Sequence, residues 1–123
     1  MLDHITIRVK DLAKSRRFYD KALKPLGMKI VLGSKKDGFW GYGIGEDPIF
    51  EISQSSKNRS AHKEVHVAFK AKDPKMVDAF YKAAIAAGGK DNGKPGLRPQ
   101  YTSTYYAAFV RDFDRNNIEV CCY

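Results

Sequence analysis

The stretch HITIRVKDLAKSRRFYDKALKPLG, residues 4–27, occurs a second time as HVAFKAKDPKMVDAFYKAAIAAGG, residues 66–89. The two segments align without a gap. Seven positions are identical, namely His4/His66, Lys10/Lys72, Asp11/Asp73, Phe18/Phe80, Tyr19/Tyr81, Ala22/Ala84 and Gly27/Gly89. A repeat of this length and regularity indicates that the chain contains two copies of one structural unit.

Each copy is expected to begin with a strand and continue into a helix. The first residues alternate, with apolar side chains on one strand face and a histidine, His4 or His66, on the other. Asp11 and Asp73 follow these strands and suit the N-cap position, where a carboxylate accepts from free backbone N–H groups. Aromatic and aliphatic side chains then recur at helical spacing, which favours a core role for them. Glycines end both segments, as is usual after a helix.

Three shorter strands are expected after each helix. In copy one the strands are predicted at residues 28–32, 39–44 and 49–53. In copy two the first is poorly marked, near a predicted turn at 91–93, and the others are predicted at 105–111 and 117–122. The prediction is therefore a single α+β domain of two βαβββ modules, residues 1–54 and 64–123, joined by a polar linker at 55–63. Copy two carries about six extra residues, placed in a loop at 94–104.

Composition restricts the class of protein. The 123 residues suffice for one domain with its own core. The net charge is +8, but the lysines and arginines are scattered and no nucleic-acid-binding motif is present. An anionic small substrate would explain this charge, and so would a solvated basic surface. No apolar run is long enough for a membrane span, and alternation starts directly after Met1, so we expect a cytoplasmic protein that binds neither membrane nor nucleic acid.

The two cysteines, Cys121 and Cys122, are neighbours. Adjacent cysteines rarely form a disulfide because the geometry is strained. On a strand they point to opposite faces, so one is predicted to lie in the core and the other to point away.

Two glutamates stand between apolar neighbours in the last strand of each copy. Glu51 lies in FEI and Glu119 in IEV, each on the face opposite the apolar set. The histidines at the start of each copy occupy the same face. A lone carboxylate in an apolar strand is costly unless it is paired or binds a cation. If a pseudo-twofold axis brings the copies together, His4, Glu51, His66 and Glu119 would form a shell for one divalent ion. Mixed nitrogen and oxygen ligands favour Ni, Zn, Co, Fe or Mn.

With these features the sequence resembles the vicinal oxygen chelate superfamily, the group of glyoxalase I, bleomycin-resistance and extradiol-dioxygenase proteins. The resemblance is carried by HITIRVKDLAKSRRFYDKAL, HVAFKAKDP and RDFDRNNIEV and covers essentially the whole chain. It implies paired βαβββ modules that form a cup-shaped mixed sheet around a metal. Glyoxalase-I-like members use a His/Glu/His/Glu ligand set, which His4, Glu51, His66 and Glu119 match. Residues 112–115 read Asp-Phe-Asp-Arg where the family often has Asp-Pro-Asp-Gly, a departure expected to alter a turn.

The resemblance implies a metal-dependent lyase or isomerase. A chelated carbonyl or thioester-type substrate would pass through an enediolate, and Glu119, or Glu51 as its symmetry mate, would move the proton. An extradiol-type dioxygenase or a thiol transferase is one alternative, and a metal-free drug-binding resistance protein is another. A homodimer is expected by resemblance, whether each site lies within one chain or across two chains.

Substrate contacts are predicted from aromatic and basic residues near the extra loop and in the FWGYGIG segment. A long insertion near a site often forms a lid over the ligand. The candidates are Arg98, Tyr101, Tyr105, Tyr106 and Trp40.

Overall fold

A computed structural model describes all 123 residues of the chain. Two modules of the same βαβββ order follow one another. Module one contains β1 (Ile5–Val9), α1 (Leu12–Ala22), β2 (Lys29–Ser34), β3 (Phe39–Gly43) and β4 (Phe50–Gln54). Module two contains β5 (His66–Lys70), α2 (Pro74–Ala86), β6 (Lys90–Leu97), β7 (Tyr106–Arg111) and β8 (Asn117–Cys122). The predicted α+β fold of two repeated modules is confirmed.

Each module forms its own four-stranded mixed sheet. The strand orders are β1-β4-β3-β2 and β5-β8-β7-β6, so the first and last strands of each module are parallel neighbours. This pairing places Thr6 opposite Glu51 and Ala68 opposite Glu119. The histidine and the glutamate of one module therefore come together on one face of one sheet, because the parallel strands lie side by side.

Both helices begin at the predicted aspartate caps. The carboxylate of Asp11 accepts from the N–H of Lys14 at 3.1 Å, and that of Asp73 accepts from Met76 at 2.9 Å. A short 3₁₀ helix, Lys24–Leu26, follows α1 and ends at Gly27, whose φ of 77° lies in the left-handed region. Neither helix has the length and apolar character that crossing a membrane requires.

The two modules share one core, to which both helices and both sheets contribute. The inward side chains of both sheets belong to one apolar cluster, in which the ring of Phe50 lies 5.3 Å from that of Phe69. Cys122 belongs to this cluster and Cys121 lies on the opposite face of β8, as predicted, although both side chains are buried. The outer face of each sheet carries the histidine and the glutamate.

A buried carboxylate organises the turn before β8. Asp112 accepts from the hydroxyl of Tyr19 at 2.6 Å and from the backbone N–H groups of Asp114 and Asn116. Arg115 in the same turn has a φ of 66°, a left-handed conformation that glycine adopts more easily. The turn ties α1 of module one to module two.

Two sequence expectations about local structure need correction. The turn predicted at 91–93 lies inside β6, where register shifts on both sides of Gly93 mark a bulge. The strand extends to Leu97, so the first part of the predicted 94–104 loop is paired with β7. Pairing with a neighbouring strand here overrides the local turn preference of Asp-Asn-Gly.

Candidate functional site

The glutamate of module two is almost fully buried. The Glu119 side chain is only 5% exposed, and its Oε2 accepts from His66 Nε2 at 2.7 Å. Its Oε1 accepts from the hydroxyl of Tyr105, also at 2.7 Å. His66 is half exposed, so this pair opens to solvent on the imidazole side.

Module one repeats the arrangement more loosely. The Glu51 side chain is 12% exposed, and its Oε1 accepts from the Thr6 hydroxyl at 2.7 Å. His4 Nε2 lies 3.8 Å from that same oxygen, while His4 Nδ1 bonds to Asp3 at 2.7 Å. The hydrogen bond with Asp3 and the charge of Glu51 raise the pKa of His4 above its ordinary value. Gly41 lies beside Glu51 in β3, and a Cβ there would stand 3.4 Å from Glu51 Oε2.

The four predicted metal ligands come together as two pairs. Each pair lies on the outer face of its own sheet, which is the face turned away from the shared core. No group of three or more His, Cys, Asp or Glu side chains in the chain is arranged to hold a metal ion. The structure thus shows two His–Glu pairs, and the four-ligand shell stays a prediction. Each pair offers one nitrogen and one carboxylate, which is half of a four-ligand shell.

Aromatic rings surround the module-two pair. The ring of Tyr105 stacks on Tyr123 at 5.5 Å with an interplanar angle of 5°, and Tyr101 contacts Tyr105 edge-on at 5.2 Å. On the other side the ring of Phe109 lies 6.3 Å from His66. Hydrogen bonds to Cys121 and Glu119 raise the pKa of Tyr105 well above its ordinary value, so its hydroxyl remains a donor at neutral pH.

Arg98 lies at the edge of the same outer face. Its guanidinium is 5.3 Å from the ring of Phe109, and its Nη2 donates to the carbonyl of Lys94 at 2.7 Å. Gly93 leaves room for it, because a Cβ there would stand 3.3 Å from that Nη2. Three of the predicted substrate contacts, Arg98, Tyr101 and Tyr105, thus lie around Glu119.

The other two predicted contacts lie on the helix side of their sheets. Trp40 is paired with the buried Ile52, and its ring lies 3.9 Å from the guanidinium of Arg16 on α1. Tyr106 donates its hydroxyl to Asp78 of α2 at 2.7 Å. Side chains alternate along a strand, so neither residue reaches the face that carries the glutamates.

A hollow of about 380 Å³ lies beside Glu51 and is lined by residues that were not predicted as substrate contacts from the sequence. Arg8 and Arg59 supply two guanidinium groups and Asp37 supplies a carboxylate, while Ser53 and Phe39 also line the wall near Thr6 and Glu51. Arg59 reaches this position because the linker folds back along β1. There His62 donates its backbone N–H to the carbonyl of Arg8 and accepts the Arg8 N–H at its ring Nδ1, both at 2.8 Å. The position of Arg8 on the histidine face was the only sequence signal for this hollow.

Comparison with known proteins gives one family match over nearly the whole chain. Residues 1–120 match the sequence model of the Glyoxalase/Bleomycin resistance protein/Dioxygenase superfamily. A crystal structure of a glyoxalase/bleomycin resistance protein from Albidiferax ferrireducens T118 is 30% identical, with a TM-score of 0.85. That alignment covers 100% of this chain and 99% of the other. No curated protein matches the sequence.

More distant solved structures share the fold. The lactoylglutathione lyase from Agrobacterium tumefaciens is 18% identical with a TM-score of 0.71, and the alignment covers 99% of this chain and 92% of that one. The fosfomycin resistance protein FosX from Mesorhizobium loti is 22% identical with a TM-score of 0.68, covering 100% and 92%. One scaffold therefore carries differently named proteins, and the choice of chemistry depends on the side chains of the site.

Proposed function

Because the chain belongs to the Glyoxalase/Bleomycin resistance protein/Dioxygenase superfamily, we propose that it is a metal-dependent lyase or isomerase acting on a small anionic carbonyl or thioester-type compound. The observation that carries this proposal is the duplicated pair of His4 with Glu51 and His66 with Glu119. A carboxylate buried as deeply as Glu119 is costly unless hydrogen bonds or a cation stabilise it. Its position beside an exposed imidazole leaves one side open to a ligand.

The complete site forms between two copies of the chain. The pairs lie on different sheets, each on the face turned away from the shared core, and a second chain would supply the pair that the first lacks. Exposed apolar side chains near each pair favour such a contact: Leu32 near Glu51 is 48% exposed, and Tyr101 beyond Tyr105 is 61% exposed. In a symmetric dimer, module one of each chain would face module two of its partner, which gives two equal sites.

The donor set of each pair fits a divalent transition metal. His4, Glu51, His66 and Glu119 would hold Ni, Zn, Co, Fe or Mn, leaving room for substrate oxygens. When bound, the ion supplies Lewis-acid polarisation of a substrate carbonyl. His66 Nε2 must give up the hydrogen that it now donates to Glu119, because a metal ligand needs a free lone pair. Metal binding would therefore release protons.

The side chains of the site carry out proton transfer and substrate binding. Glu119, or Glu51 as its counterpart, takes the proton from the carbon next to the carbonyl. It then returns the proton to the former carbonyl carbon. Tyr105 fixes Oε1 of Glu119, and Oε2, which accepts from His66 in this structure, would become available when His66 gives up that hydrogen. Arg8 and Arg59, which line the hollow beside Glu51, bind the negative charge of the substrate.

The test combines metal analysis with turnover. Purified protein is loaded with Ni, Zn, Co, Fe or Mn, ranked by thermal shift, and assayed on hemithioacetals, thioesters and small oxo-acids. Glu119→Gln is expected to lower kcat by about 10²- to 10⁴-fold, the usual contribution of general acid–base catalysis. Glu46→Gln is the matched control, since Glu46 is exposed in the turn between β3 and β4. Unchanged turnover in loaded Glu119→Gln protein would exclude this residue as the base.

A further inference from the structure

A second groove lies on the opposite side of module one. It has a volume of about 510 Å³ and runs between the start of α1 and the strand β3. This volume falls within the usual range for small-molecule sites, roughly 300 to 1,000 Å³. The groove shares no residue with the hollow beside Glu51 except Gly38 and Gln54.

Positive charge predominates along the groove. Arg16, Arg17 and Lys35 line it, against a single carboxylate from Asp11. That carboxylate already caps α1 by accepting from a backbone N–H. Neither Arg17 nor Lys35 has an acidic side chain within 4 Å, in contrast to Arg16, which contacts Asp20 at 3.4 Å. Two cationic side chains at the groove therefore have no acidic partner, and the positive end of the α1 dipole adds to their electrostatic field.

The floor of the groove is apolar and aromatic. Leu12 is buried there and Trp40 is half-buried. The guanidinium of Arg16 lies 3.9 Å from the centre of the indole ring, so a flat cation and a flat ring are already stacked at the edge of the groove. Such a surface favours a planar ring that can extend the stack, and its charge favours an anion.

The groove is separated from the glutamate face by the thickness of the sheet. Trp40 is paired with Ile52 on the core side, while the next residue, Gly41, is paired with Glu51 on the outer side. A ligand in the groove therefore cannot touch Glu51. Both sites can be occupied together, because they open on opposite faces of β3 and β4.

We propose that this groove is a ligand site distinct from the histidine–glutamate faces, and that its ligand is a small aromatic anion. The ring lies against Trp40 and Leu12, and a carboxylate or sulfonate lies between Arg17 and Lys35. An aliphatic anion would lack the stacking contact, and a neutral aromatic compound would lack the charge contact. Binding requires both parts of the ligand in one molecule.

Trp40 is the only tryptophan in the chain, so its indole N–H gives one resolved signal. The ¹⁵N-labelled protein is titrated with sodium phenylacetate, phenylacetamide and sodium acetate. Phenylacetate is expected to shift the indole signal saturably, and the amide and acetate to bind at least about fivefold more weakly. No saturable shift with phenylacetate, or equal affinity for phenylacetamide, would overturn the proposal.

Charge variants test the position of the anion. Lys35→Gln and Arg17→Gln are each expected to weaken phenylacetate binding about two- to fivefold, as exposed charge contacts usually do. Lys36→Gln is the matched control, because Lys36 is adjacent and exposed but does not line the groove. Equal weakening by Lys36→Gln would mean only a diffuse charge effect and would refute the site. Unchanged binding in Glu51→Gln protein supports the independence of the groove from the glutamate face of module one, and a loss there contradicts it.

Discussion

Replacement of Tyr105 by phenylalanine tests the arrangement around Glu119 with the loss of one oxygen atom. The hydroxyl donates to Glu119 Oε1 at 2.7 Å, and the ring packs between Tyr101 and Tyr123. Phenylalanine keeps both ring contacts, so the variant changes the hydrogen bond and leaves the packing. The adjacent Tyr106→Phe is the matched control: its hydroxyl donates to Asp78 at the same 2.7 Å, but on the helix side of the sheet.

The expected effects differ between stability and metal affinity. A hydrogen bond to a charged group contributes about 1.5 to 3 kcal/mol, and partial exposure of Tyr105 reduces this to about 1 to 2 kcal/mol. For a chain of this length the Tm would fall by about 4 to 8 °C. Loss of a group that orients a metal ligand usually weakens the metal about 10- to 100-fold. Tyr106→Phe is expected to lose less than about 1 kcal/mol and no metal affinity.

Thermal unfolding and competition with a chelator measure the two quantities separately. Glu119 without Tyr105 retains His66 as a partner, so the fold should survive and the metal constant can be compared directly. The reasoning predicts a metal dissociation constant raised only in Tyr105→Phe. If both variants bind metal as the unmodified protein does, Tyr105 does not position Glu119. If both weaken equally, the effect comes from general destabilisation of β7.

Two further predictions concern the turn before β8 and its partner on α1. Arg115→Gly should stabilise the protein by about 0.5 to 1 kcal/mol in urea unfolding, because it relieves the left-handed φ of 66°; a loss of stability would show that the arginine side chain holds the turn. Burial and the neighbouring Asp112 carboxylate raise the pKa of Tyr19 well above its ordinary value. The folded state then keeps a proton that the unfolded chain releases, so stability should fall as pH rises above about 10, by up to about 1.4 kcal/mol per pH unit for this group. In urea unfolding between pH 9 and 11, the free energy of unfolding should fall less steeply with pH in Tyr19→Phe than in the unmodified protein. An equal slope in both proteins would show that Tyr19 is not the group responsible.

Because the sequence repeats, much of the fold could be predicted from it. Asp11 and Asp73 marked both helix starts, and the matched positions of His4 and His66 placed each histidine on the face of a glutamate. These features are local, or they follow from the alternation of side chains along one strand. They do not depend on how one module packs on the other.

Features that depend on strand register or on module packing could not be predicted from the sequence. Tyr105 and Tyr106 are neighbours and equal candidates by composition, but only the pairing of β7 with β8 decides which one meets Glu119. Trp40 was a candidate substrate contact, and only the pairing of Trp40 with Ile52 shows that it lies on the helix side of β3. Arg59 reaches the hollow beside Glu51 through the path of a polar linker, which no periodicity encodes.

A mixing experiment tests most directly whether the site forms between two chains. One variant carries His4→Ala and Glu51→Gln, and the other carries His66→Ala and Glu119→Gln. Each alone should bind no stoichiometric metal. After the two are unfolded and refolded together, about a quarter of the wild-type metal content should return, because about half of random dimers are mixed and each mixed dimer has one intact site of two. A wild-type protein that loads metal, with a refolded mixture that binds none, would contradict a site shared between chains.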